Sequence, residues 1–248
     1  MLSIQLILIP LILINLINSK LITKNINKDQ INSLPGLKFK QNFEQYSGYL
    51  QVSENNVLFY WFITSQNNSE NAPLIVWFNG PGDDTSQGCS SIEGLFSEIG
   101  PYLINSDGTI SKNNYSWNKN ASLLFIENPA GVGFSYAKNK NIRTGDNKTA
   151  EENYIAIKEF FNKFPNYQKN ELYLGGISYA GYTAPLLGRL ILNGQECFKL
   201  NLKGIILGNP ILNIYLNKNM AIKYSYSHGF VDENLWNEFK LNCCKGCV

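Results

Sequence analysis

The sequence predicts an α/β fold built on a mostly parallel sheet, and three observations carry that reading. Four short, largely apolar segments, the one at 73–78 unbroken, each end in a Gly- or Pro-containing loop: 73–78, 123–126, 171–174 and 202–207. Strands buried on both faces produce such runs. Stretches with helical spacing of apolar residues lie between them, so strand, loop and helix repeat along the chain. The composition agrees. Of the 248 residues, 44% are hydrophobic and 16% charged, too apolar and too weakly charged for a disordered chain.

Taken in order, the N-terminus comes first. Met1 to Ile17 is almost wholly apolar, and Asn18-Ser19-Lys20 follows. A short apolar core before small and polar residues reads as a secretory signal over residues 1–19. A membrane anchor and a buried first helix are the competing readings. The run is short for a spanning helix. No later segment reaches spanning length, so no stable membrane span is expected once the signal is removed.

Tyr46–Val52 and Val57–Thr64 are β-rich and joined by the polar turn Ser53-Glu54-Asn55-Asn56, which predicts a hairpin. The strand at 73–78 runs into Asn79-Gly80-Pro81-Gly82, and a helical pattern covers Ser91–Ile99. The strand at 123–126 ends in Glu127-Asn128-Pro129-Ala130-Gly131. Tyr154, Ile157, Phe160 and Phe161 recur near helical period, predicting a helix over Ala150–Phe164. The strand at 171–174 enters Gly175-Gly176, a helix is expected over Tyr179–Leu192, and the strand at 202–207 ends in Gly208-Asn209-Pro210. Ligands of open parallel sheets sit at the carboxyl ends of the strands. The loops after Phe78, Ile126, Leu174 and Leu207 are therefore expected along one edge.

A formal charge of +2 gives no reason to expect a nucleic-acid partner. A single histidine, His228, rules out a His-rich zinc site. The cysteines are Cys89, Cys197, Cys243, Cys244 and Cys247. An odd count in a secreted chain leaves a free thiol or a missing partner. The Cys243-Cys244-Lys245-Gly246-Cys247 cluster lacks a second ligand pair at metal spacing, so disulfide halves are expected there. Asn67, Asn114, Asn120 and Asn147 each open an Asn-x-Ser/Thr acceptor triplet, which fits an exported glycoprotein.

The chemistry-bearing motif is Gly175-Gly176-Ile177-Ser178-Tyr179-Ala180-Gly181. A serine between small residues on a strand-to-helix turn is a nucleophile elbow. The turn lifts the hydroxyl above the sheet, and the helix N-terminus behind it favours a developing oxyanion. The Tyr179 backbone N–H is the expected donor. Ala180 stands where the pattern has its final Gly, and the plainer reading is a Ser178 that caps the helix.

These residues belong to a longer set of matches. Tyr46-Ser-Gly-Tyr49, Leu58–Phe62, Pro73–Gly80, Gly88–Ser91, Glu98–Pro101, Tyr115–Asn118, Asn128–Tyr136, Thr149–Glu151, Ile177–Gly181, Gly208–Pro210 and Tyr226–Gly229 stand in order along the chain. With them the sequence resembles the serine carboxypeptidases, the secreted and lysosomal or vacuolar branch of the α/β-hydrolases. The resemblance implies a mostly parallel sheet over residues 34–210, followed by the start of a helical, disulfide-bearing cap insertion at 211–248. It implies an acyl-forming Ser178, oxyanion donors at Tyr179 and Gly80, and a substrate-carboxylate site made by Asn79, Gly80 and Glu98. Cys89 would be half of a disulfide. Peptide or protein C-termini would be the substrates, with no metal or cofactor, in the secretory pathway, the extracellular space or a lysosome or vacuole. Without the resemblance, Asn79 and Gly80 read as a turn and Glu98 as a solvated acid.

The departures matter. Ile177 stands where the family carries an acid, and an apolar side chain cannot pair with a carboxyl group. Extra residues separate Gly82 from Cys89, and Pro81 has no N–H to offer an oxyanion. In α/β-hydrolases the triad runs Ser, acid, His. Here Glu196 is the one acid between Ser178 and His228, and no Gly-Asp strand end appears there. By resemblance His228 belongs to the helical insertion and is not the base. The expectation is therefore the first half of a serine carboxypeptidase, weak or inactive as given and poorly soluble at its last strand. A secreted non-catalytic binding protein and a serine carboxypeptidase-like acyltransferase are the alternatives.

Overall fold

The computed structural model describes residues 28–80, 88–194 and 199–242. The expected signal, Pro81, Glu196 and the cysteines Cys197, Cys243, Cys244 and Cys247 lie outside the described residues.

Strands β1 (Gln45–Gln51) and β2 (Asn56–Ile63) form the expected hairpin, paired from Gln45–Ile63 to Gln51–Val57. β3 (Leu74–Asn79) follows, then the short helix α1 (Ser91–Glu93) and one π-helical turn, Gly94–Glu98. β4 (Tyr102–Ile104) and β5 (Ile110–Lys112) make a separate antiparallel pair. Next come β6 (Ser122–Ile126), β7 (Tyr136–Ala137), α2 (Asp146–Lys163), β8 (Leu172–Ile177), α3 (Ala180–Asn193) and β9 (Leu202–Gly208). Helices α4 (Ile214–Ser227) and α5 (Glu233–Asn242) follow. The main sheet has the order β1-β2-β6-β3-β8-β9, with β7 beside β2. β6, β3, β8 and β9 are mutually parallel, so their carboxyl ends share one edge, as expected.

The sheet is buried on both faces. Leu74, Val76 and Phe78 of β3 join the core beneath α2 and α3, while Ile75 and Trp77 join Leu95, Tyr102 and Phe125 on the other face. All six residues of β3 are buried, which accounts for its unbroken apolar run. Phe160 of α2 is 0% exposed and packs against Phe62 at 4.9 Å and Phe164 at 4.8 Å between ring centroids. Ahead of the hairpin, Asp29 pairs with Lys163 at 2.7 Å and accepts the Tyr60 hydroxyl at 2.8 Å. Burial, and then the Asp29 charge, push the Tyr60 hydroxyl far up from its ordinary range.

Several boundaries differ from expectation. α2 begins at Asp146 rather than Ala150, because its first turn is polar and shows no apolar period. There Asp146 favours the positive helix end. β8 runs on through Gly175 and Gly176 to Ile177, since Trp77, Phe78 and Asn79 of β3 pair beside them. The β4–β5 pair was not expected; its signal is the Asp107-Gly108 turn. β9 is the edge strand, and its Ile205 and Ile206 are 40% and 36% exposed, in line with the expected apolar edge. Among the described residues no helix is long and apolar enough to cross a membrane.

Two stability outcomes follow from this core. Phe160→Ala should cost about 3–5 kcal/mol, read as a lowered denaturant midpoint. Glu152 of α2 is 5% exposed and accepts from Asn56 at 2.7 Å, while its second oxygen has no partner. Desolvation outweighs that hydrogen bond and holds the carboxyl above its ordinary value of 4.5. With the folded value raised, the group favours folding most below the unfolded value and less as pH rises through the folded one. Thermal melts across pH should show this decline above 4.5, and Glu152→Gln should flatten it.

Candidate active site

The elbow is built by close packing. A Cβ on Gly176 would lie 2.5 Å from the Ala180 Cβ and 2.6 Å from the Phe78 carbonyl oxygen. Only glycine lets α3 close onto β8 and β3 there. Ala180 fits where the pattern has its last Gly because Gly176 leaves it the space; Ala180 is 0% exposed. A Cβ on Gly181 would lie 2.5 Å from the Ile211 carbonyl oxygen, so the next small residue admits the chain after β9. Ser178 stands between them at φ +54°, the left-handed conformation that strains a non-glycine residue. Its N–H donates to the Gly208 carbonyl at 3.2 Å, and its carbonyl accepts from Gly181 at 3.1 Å and Ile211 at 2.8 Å. These bonds hold the strained turn while the side chain remains exposed.

Tyr179 begins the helix behind Ser178. Its hydroxyl donates to Asp146 at 2.7 Å, tying the elbow to the first turn of α2. Gly80 follows β3 at φ +38°, and a Cβ there would stand 3.7 Å from the Ser178 Cβ and 4.0 Å from its Oγ. The fold thus brings Gly80 beside the serine from a position 98 residues earlier in sequence (178 − 80).

Asn79 and Ile177 are register partners across β3 and β8. Asn79 is 2% exposed. Its Oδ1 accepts the Trp77 indole N–H at 2.6 Å, which fixes the amide and turns Nδ2 to Glu98 Oε2 at 3.0 Å. Glu98 ends the π-turn, a form that recurs at functional sites. The expectation of a helix over Ser91–Ile99 is corrected here: α1 ends at Glu93 and the π-turn follows. Its Gly94 must lie against β3, since a Cβ would fall 2.5 Å from Asn79 Oδ1 and 2.7 Å from Trp77 Nε1. Trp77 was not singled out in the sequence; it reads there as one more apolar strand residue.

The extra residues after Gly80 do not separate the two halves of this site. The Cys89 N–H donates to the Gly80 carbonyl at 3.1 Å, and the Asn79 N–H donates to Ser91 Oγ at 3.2 Å. Glu127 lies two residues beyond the last β3–β6 pair, Trp77–Phe125. It is 1% exposed, contacts Ser90 Oγ and accepts the Phe134 N–H at 2.6 Å. Sequence reasoning passed over it too, although an acid closing an all-apolar strand is a readable signal.

His228 lies apart from this assembly. It follows α4, its Nδ1 is 2.9 Å from the Tyr224 carbonyl oxygen, and its ring stacks on Tyr224 at 3.9 Å. These partners, and Ser227 at 3.3 Å, belong to its own helical turn. The acceptor asparagines Asn67, Asn114, Asn120 and Asn147 are all exposed. Cys89 is exposed as well, and the other four cysteines lie outside the described residues.

Comparison with known proteins agrees with this arrangement. The family model described as serine carboxypeptidase matches residues 35–248. The chain is 43% identical over 219 residues to the lysosomal protective protein of Mus musculus, covering 88% of this chain and 44% of that protein. It is 41% identical over 221 residues to serine carboxypeptidase ctsa-4.1 of Caenorhabditis elegans, covering 89% and 46%. Among solved structures, the prohormone-processing carboxypeptidase Kex1Δp of Saccharomyces cerevisiae superposes with a TM-score of 0.73 at 26% identity, covering 84% of this chain and 48% of that one. The chain thus spans less than half the length of each of these relatives. With the family model matched over most of the chain and the fold superposed, the chain belongs to the serine carboxypeptidase family and carries its α/β-hydrolase fold.

Proposed function

We propose that the protein is a serine-type carboxypeptidase that releases C-terminal residues from peptides through an acyl-enzyme on Ser178. The observation that carries this reading is the Ser178 elbow, with Gly80 against it and the Asn79–Glu98 pair on the adjoining strand end. In this reading Ser178 attacks the scissile carbonyl, and the N–H groups of Tyr179 and Gly80 receive the oxyanion. Asn79, the Gly80 backbone and Glu98 hold the substrate's terminal carboxylate. Residues 34–210 serve as the catalytic sheet, and 211–248 open a helical insertion above it. Residues 1–19 direct the chain into the secretory pathway; the name of the lysosomal protective protein points to a lysosome, and a vacuole or the outside of the cell are the other destinations in this reading.

His228 supports a second reading for these 248 residues taken alone. The one histidine turns its Nδ1 to its own helix, so among the described residues no histidine is hydrogen-bonded to Ser178. A chain that works by itself would then act by binding, and Ile177 in place of an acid points the same way. The two readings separate on a serine-reactive phosphonate, which labels Ser178 only where a base activates it.

Three outcomes are expected. Protein translated from the complete transcript should release the C-terminal residue of a blocked dipeptide, and Ser178→Ala should abolish this. Residues 1–248 alone should turn over slower by a factor on the order of 10⁶, the usual loss when a triad's base is gone. In the active protein, Gly94→Ala should press on Asn79 and raise KM for a free-carboxylate peptide about tenfold, with a smaller change for the matching amide, about 1.4 kcal/mol of lost binding.

A further inference from the structure

We propose that Asn67 and Asn120 form a single glycosylation site with two alternative acceptors, which holds one N-linked glycan in the folded chain. The proposal rests on the secretory reading above. In sequence the two triplets are independent and 53 residues apart. In the fold the amides meet: Asn67 Nδ2 lies 3.5 Å from Asn120 Oδ1, and both residues are exposed.

The backbone around them fixes that approach. The Gln66 N–H donates to the Asn118 carbonyl at 2.7 Å, and Gln66 Nε2 donates to Asn118 Oδ1 at 2.8 Å. The Ser65 N–H donates to Ser122 Oγ at 3.0 Å, and Ser65 Oγ donates to the Asn67 carbonyl at 2.8 Å. Every partner lies within or beside one of the two triplets. The loops therefore cannot drift apart without breaking the pairing that sets the end of β2 beside the start of β6. Ser122, the hydroxyl of the second triplet, is 0% exposed and already engaged. Transfer to Asn120 has to precede this docking, because the transferase reads the hydroxyl together with the amide.

The two acceptors exclude each other when the segments dock, after transfer has taken place on the undocked chain. The amide nitrogen attacks C1 of an oligosaccharide carried on a lipid diphosphate. An N–C1 bond forms, the C1–O bond to the diphosphate breaks, and the amide loses one proton to the enzyme's base. In Asn67 the nitrogen that would carry the sugar is the atom facing the Asn120 amide. A pyranose ring on either asparagine then occupies the space above the other, and two rings would both have to start there. Asn114 and Asn147 are exposed acceptors, and among the described residues no hydrogen bond joins either side chain to a second triplet.

The test counts glycans on the folded, protease-resistant chain. The full chain, alone and behind a heterologous cleavable leader, is translated with microsomes as wild type, Asn67→Gln, Asn120→Gln and the double variant. Mobility before and after glycosidase gives the number of glycans, and peptide mapping gives their positions. The proposal requires the same count in wild type and both single variants, and one fewer in the double. A lower count in either single variant overturns it, whether because both asparagines are occupied together or because only one is ever used. A double variant equal to wild type overturns it as well. Glycans that appear at Asn114 or Asn147 only behind the heterologous leader would defeat the secretory reading alone, and the pair is still counted in that form.

Discussion

Helix α3 meets strands β8 and β3 with no side chain between them at Gly176. The Ala180 Cβ and the Phe78 carbonyl fill the space a Cβ would take. This close approach is what the site depends on. It forces the chain to reverse within one residue, and Ser178 absorbs the reversal at φ +54°. It also keeps β3 and β8 in register to their ends, so that Asn79 and Ile177 are paired and Gly80 comes beside Ser178. A strained serine persists only when its surroundings over-determine it. Here the carbonyl of Gly208 and the N–H groups of Gly181 and Ile211 do so from three directions.

The second half of the site repeats this logic on the other face of β3. Gly94 has no side chain, and the π-turn can therefore lie against Trp77 and Asn79. The indole N–H chooses the orientation of the Asn79 amide, and that choice leaves Nδ2 for Glu98. A polar side chain buried at 2% exposure needs such partners, because an unpaired amide there would cost the full desolvation of the group. Glu127 meets the same need with Ser90 and the Phe134 N–H. It thereby links the loop after β6 to the segment that begins α1.

Much of this was legible in the sequence, and residue by residue the reasons differ. The strand at 74–79 reads as buried because all its residues are apolar up to Asn79, and burial on two faces demands that. Ser178 reads as a nucleophile because an elbow needs small neighbours, and steric demand shows as residue type. His228 reads as unsuited by its order in the chain, and its helical partners agree. Trp77 and Glu127 were not legible as site residues. Their roles depend on which atoms lie across the strand end, and the same letters elsewhere would only pack or solvate. The start of α2 was also hidden, since Asp146 belongs to a turn whose residues are polar and whose partner, Tyr179, comes 33 positions later.

By itself, then, the sequence determined the α/β class, the order of strand and helix, the shared edge of the loops and the serine on its elbow. Each of these is a local demand of burial period or steric size, and such demands are written in consecutive residues. The tertiary structure decided the rest: the Trp77–Asn79–Glu98 chain, the closure of the Gly80–Cys89 loop base, the seclusion of His228 and the meeting of Asn67 with Asn120. These rest on contacts between segments far apart in the chain. Hydrogen bonds act only over about 3 Å, and no local pattern reports which distant groups the fold will bring within that reach.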